Sequence, residues 1–158
     1  MSIDLQGLLR RPMRATLLAA AIACQLAPAL EAAAAEIGQI KVAKGQVSVD
    51  RSGQVLAGSI GMRLEVADVV KTGPDGSVGI TMNDNSLLSA GPNSILALER
   101  FEFDPTTSQG RFDTQLQRGT LAVVSGRIAK QSPQAMTVRT PSAALGVRGT
   151  EFVVSADE

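Results

Sequence analysis

The sequence predicts an all-β protein, one compact domain of short antiparallel strands and turns with a layered arrangement. Three observations lead there. From Ile37 onward, short apolar runs are separated by Gly, Pro, Asn, Asp and Ser at intervals too short for helices of ordinary length. A chain of 158 residues closes one hydrophobic core and rarely divides into two. There is no histidine, and the one cysteine, Cys24, precedes this strand-rich region, so neither a disulfide framework nor the usual zinc site holds the fold.

The chain opens differently. Arg10, Arg11 and Arg14 precede an uncharged apolar run from Ala15 to Leu30, and Ala33 and Ala35 sit at the spacing of a signal-peptidase site before Glu36. This order predicts a secretory signal helix over residues 1–35 and a mature domain over 36–158. The alternative is an uncleaved anchor, because the run lies near the short end of the roughly 17–25 residues that span a bilayer. Cys24 suggests a lipid anchor less well, since Ala21 stands where a larger aliphatic is usual and apolar residues continue to Leu30.

Losing the leader removes three arginines, Asp4 and Glu31, which leaves 123 residues with 12 basic and 13 acidic side chains. Such neutrality, with no Trp or Tyr, argues against nucleic acid as a partner, whose affinity comes from clustered cations and stacking platforms. Lack of His and Cys in the mature part excludes Ser/His/Asp and Cys/His nucleophiles. No catalytic residue, metal site or cofactor is expected.

The elements follow in order. Val47-Ser48-Val49 alternates up to Arg51-Ser52-Gly53, and Val78 to Met82 alternates up to Asn83-Asp84-Asn85; each reads as one arm of a hairpin. Turns fall at Gly73-Pro74-Asp75-Gly76 and Gly91-Pro92-Asn93-Ser94. Leu96 and Leu98 share one parity and Phe101 and Phe103 the other, which predicts a bulge near Glu99 and Arg100. Phe112, Thr114 and Leu116 form an inward row, with Arg111, Asp113, Gln115 and Gln117 outward. Gly119 is expected to end that strand, and Thr120 to Ser125 form the next. Asp104 to Gly110 reads as a polar loop and Gly126 to Gln134 as a longer connection; Met136–Thr140 and Glu151–Ser155 flank a compact run, Pro141 to Thr150. Gly45-Gln46-Val47-Ser48-Val49 echoes Gly119-Thr120-Leu121-Ala122-Val123, which fits two similarly placed strands.

Further motifs then become recognisable: Gly45-Gln46-Val47, Gly58-Ser59-Ile60-Gly61, Ala67 to Gly73, Asp84 to Leu88 with Gly91, and Leu116-Gln117-Arg118-Gly119. The last, Val138 to Phe152, contains Leu145-Gly146-Val147-Arg148-Gly149-Thr150-Glu151. In these motifs the chain, from Ile37 to Val154, resembles the FecR-like extracytoplasmic domain. The resemblance implies a solenoid-like all-β fold outside the cytoplasm and signal transmission between an outer-membrane receptor and a cytoplasmic sigma factor. Only Met1 to Arg14 precede the apolar segment and the chain stops at Glu158, so sigma-factor regulation by this chain alone is not expected. Where the family commonly has Asp-Gly-Ser, this chain has Asp84-Asn85-Ser86, and Asn tolerates the positive φ that such a turn needs.

Candidate contacts are few. Asp68, between apolar residues and before the Thr72-Gly73 turn, reads first as a turn-maker accepting backbone N–H bonds and second as a ligand contact. Arg148-Gly149-Thr150 has the make-up of an anion-catching nest, against the simpler reading of a tight turn. Asn83 to Ser86 lacks the spaced carboxylates of a calcium loop and reads as a hairpin turn. The leading expectation is an exported, non-enzymatic binding or scaffold module of the periplasm. It docks to an envelope protein, such as a membrane signalling protein or outer-membrane receptor, through a strand edge or the Arg148 turn. The membrane is a partner only if the leader is uncleaved. The alternative is a binder of a small polar ligand or metal chelate that uses Arg139, Arg148 and the acidic turns.

Overall fold

Glycine-rich corners organise the chain, because each lets a long strand bend and contribute one arm to each of two layers. A computed structural model describes residues 35–147 and 151–156, which belong to one compact unit, Ala33–Glu158. The signal helix predicted over residues 1–35 therefore falls, but for Ala35, outside the described residues, as do Arg148, Gly149 and Thr150.

Strand β1 (Glu36–Lys44) bends at Gly45 into β2 (Val47–Arg51), and β3 (Gln54–Ala57) passes through residues 58–62 into β4 (Arg63–Glu65). The turn at Gly73 to Gly76 joins β5 (Val69–Thr72) to β6 (Ser77–Met82), and that at Gly91 to Ser94 joins β7 (Leu87–Ala90) to β8 (Ile95–Phe103). Strand β9 (Gly110–Val124) makes the same bend without a break. A short helix, α1 (Arg127–Gln131), and a 3-10 turn at Pro133–Ala135 lead to β10 (Met136–Arg139), β11 (Ala144–Gly146) and β12 (Glu151–Ala156).

One layer is ordered β4-β1-β6-β7-β9-β12 and the other β3-β2-β5-β8-β9-β10-β11. Beta-9 lies in both, its first part beside β8 and β10 and its last part between β7 and β12. All pairs are antiparallel except β10 with β9. The predicted all-β class holds, as a curled antiparallel sheet folded over on itself so that bent strands stack as rungs.

Cross-strand rows fill the space between the layers. Ile40, Ile80, Leu88, Val123 and Phe152 align across the first layer, and Val49, Val70, Leu96 and Leu116 across the second. Except for half-buried Phe152, all are buried in one continuous core, where each such side chain contributes about 1.5–3 kcal/mol. Phe101 meets Phe112 edge-on, with ring centroids 5.4 Å apart.

The bulge predicted near Glu99 is present: the β8/β9 register shifts between Leu98 and Arg100, which turns both Leu98 and Phe101 inward. Two expectations need correction. Gly119 does not end a strand; at φ +92° it is the corner through which β9 changes layer, and a Cβ there would collide with Ser94. Asp113 does not face solvent, because β10 lies alongside with Thr137 opposite it, and the buried carboxylate is held by Arg111 Nε at 2.8 Å. The echo between Gly45 and Gly119 also has a reason. Both are positive-φ corners, yet Gly45 leads out of the first layer and Gly119 leads into it.

Candidate functional site

Asp68 lies in the turn between β4 and β5, which is fixed to β8 by Ala67 N–H donating to the Leu98 carbonyl at 2.8 Å and Leu98 N–H donating to the Asp68 carbonyl at 2.9 Å. Its buried carboxylate accepts three bonds: from Glu65 N–H at 2.8 Å, Arg51 Nε at 2.8 Å and Arg51 Nη2 at 2.7 Å. Arg51 also donates to Glu65 Oε1 at 2.6 Å and to the Arg63 carbonyl at 2.9 Å. Bonding to Asp68 is the main force that raises the Arg51 pKa. Since β2 belongs to one layer and β4 to the other, this guanidinium ties the layers together at the β3/β4 end. Asp68 thus sits in a clamp whose oxygens are already engaged.

Asp84 is similarly committed. Fully buried, it accepts Ser86 N–H at 3.0 Å, the Ser86 hydroxyl at 2.8 Å and Ile128 N–H at 3.3 Å, so it fastens the Asn85 turn (φ +65°) to the start of α1. No group of three or more His, Cys, Asp or Glu suited to a metal ion occurs among the described residues.

The other end of the stack is more open. Among the described residues β11 pairs only with β10, and β12 only with β9, so each presents a free edge. A hollow of about 270 Å³ lies between them, lined by Leu145, Gly146, Val147, Glu151, Phe152, Val153 and Val154. Leu145 is 39% and Val153 65% exposed. Arg139 ends β10 nearby in the chain, half exposed and 3.3 Å from Glu99 Oε2. Asp68 and Arg139 therefore keep separate ion-pair partners, while the sequence puts Arg148, Gly149 and Thr150 between β11 and β12.

A larger groove, about 670 Å³, runs past Glu102, Phe103, Asp104, Arg111 and Gln131. Beside it Arg127 stacks 5.2 Å over the Phe103 ring and donates to the Pro105 carbonyl and the Ser108 hydroxyl. Sequence reading missed Arg51, because its partners lie on another strand and leave no periodic trace.

The family comparison matches residues 68–158, from the clamp aspartate through the corner strands to the open end, with the description FecR protein. The chain belongs to the FecR family. No curated protein and no solved structure matches it. The FecR family is a signalling and regulatory family of the cell envelope. In this FecR chain the match begins at Asp68, although β1 to β4 share the same two layers. No helix among the described residues is long and apolar enough to cross a membrane.

Proposed function

We propose that this chain is an exported, non-enzymatic docking module of the periplasm that acts in envelope signalling by binding another envelope protein at the β10–β12 end. The observation that supports it most is the pair of free strand edges flanking an apolar hollow. Main-chain groups of an added strand can bond to an open edge, and the hollow offers Leu145 and Val153 to its side chains. Arg139 and the Arg148-Gly149-Thr150 turn are proposed as polar contacts at the rim, where a bidentate guanidinium selects carboxylates. Asp68 contributes by keeping the β4/β5 turn in place. The leader, residues 1–35, carries the module out of the cytoplasm.

The test is crosslinking and mass spectrometry on envelope fractions of a Gram-negative host that expresses the full chain. One defined envelope protein should be captured, with the mature N-terminus at Glu36, and capture should be lost in a Leu145→Lys/Val153→Lys variant that still folds. Equal capture by both forms, or none by either, would overturn the proposal.

A further inference from the structure

In an antiparallel sheet with one face on the core, the side chains that alternate outward are normally polar. The first layer departs from this rule on its outer face. Register places Gln39, Thr81, Leu87, Val124 and Glu151 in one row across β1, β6, β7, β9 and β12, and Val42, Gly79, Ser89, Ala122 and Val153 in the next. Val42, Leu87, Val124 and Val153 are 44%, 46%, 37% and 65% exposed. Residues 77–82, 87–90 and 119–124, which form this face between β1 and β12, include no charged residue. A Cβ added at Gly79 would come within 3.1 Å of the Val42 side chain, so Val42 lies across Gly79 and the surface is continuous there. The second layer, by contrast, carries exposed ion pairs, Lys71 with Asp50 and Arg100 with Glu102. A contiguous apolar patch with a polar rim marks a contact surface.

Charge at the two ends of the patch decides what fits there. Lys41 and Lys44 stand on β1, and Lys41 Nζ donates to Gln39 Oε1 at the start of the first row. Nearby Glu36 is neutralised by Arg63. Glu151 stands at the other end, on β12, with no ion-pair partner among the described residues. A second copy turned about a two-fold axis parallel to β7 and directly above it lays β1 over β12 and β6 over β9. Val42 then meets Val153, Gly79 meets Ala122, Thr81 meets Val124, and Leu87 and Ser89 each meet their own counterparts, while Lys41 comes to Glu151. An anionic lipid surface would attract the lysines and repel Glu151, whereas the reversed patch matches apolar with apolar and cation with anion.

We propose that the chain forms a two-fold dimer by stacking these outer faces, with the strands of the two sheets aligned to within about 30°, as two sheets pack in a sandwich. The same patch serves both copies, so the contact closes on itself and yields a dimer and not a filament. It is made by side chains and requires no free main-chain edge. Only Val153 is shared with the hollow at the β10–β12 end. Leu87 and Ser89 lie outside that hollow, so variants there test the dimer without touching the proposed docking site.

Sedimentation of the full chain over a range of concentrations tests it. A rise from monomer to dimer mass is expected. Leu87→Lys sets two like charges against each other on the axis and should weaken dimerisation at least about tenfold while circular dichroism stays unchanged, since Leu87 is exposed in the monomer. Ser89 also lies on the axis, so Ser89→Cys combined with Cys24→Ser should be joined by a short bis-maleimide into pairs, and only pairs. Capture of an envelope protein by the Leu87→Lys variant should equal that of the unaltered chain. A monomer at every concentration, a dimer unmoved by Leu87→Lys, or a ladder of higher crosslinked species would each overturn the proposal. So would a monomer that binds anionic phospholipid vesicles, or an envelope protein, through Leu87, since the face would then belong to that occupant.

Discussion

Single side chains close the seam between the layers. Asp68 is almost fully shielded, with 1% of its side chain exposed, and Arg51 is its charge partner. Removing the arginine leaves a buried carboxylate uncompensated, so Arg51→Ala should destabilise the fold by about 3 kcal/mol. Chemical denaturation followed by circular dichroism would measure this. Asp68→Asn should cost less, because an amide oxygen still accepts the Glu65 N–H. Glycines separate two effects in the same way. Gly53 (φ +84°) has open space where a Cβ would go, so Gly53→Ala should cost only the backbone term, about 1 kcal/mol. Gly119→Ala adds a collision with Ser94 and should cost clearly more in the same assay. The sequence announced Asp68 as a turn-maker, since an acid between apolar residues and a glycine turn has few other uses. Arg51 was invisible, because pairing across 17 residues depends on how strands stack and not on spacing within one.

At the scale of elements, period-two alternation revealed the strands and the phase change revealed the bulge at Glu99, because both are properties of a single extended segment. A corner differs from an end only in what the following strand pairs with, so Gly119 read as a terminus. The Asp104 to Gln109 loop was legible from its polarity, and its bonds carry a pH dependence. Asp104 accepts Thr106 N–H at 2.8 Å and the Thr107 hydroxyl at 2.9 Å, and the Thr106 bond is the main force that lowers its pKa. A depressed folded value means the contribution is present above the unfolded pKa, about 4, and is lost as pH falls through the lower folded value. The Thr106 and Thr107 amide resonances should therefore shift below about pH 4, and Asp104→Asn should abolish that titration in NMR spectra.

For the whole molecule, the order of rungs sets the order of opening. The layered all-β class followed from alternation and turns, whereas the two exposed ends did not, because exposure belongs to the stack and not to any strand within it. Interior rungs have neighbours on both sides, and their amides are released only by opening that disrupts the shared core. Amides of β5, β8 and the middle of β9 should exchange slowest with solvent. Amides on the outer edge of Gln54–Ala57, which have no strand partner beyond them among the described residues, should exchange much faster. Hydrogen exchange followed by mass spectrometry reads this order directly, and equal protection of β3, β5 and β8 would show that the stack opens as one unit and not from its ends.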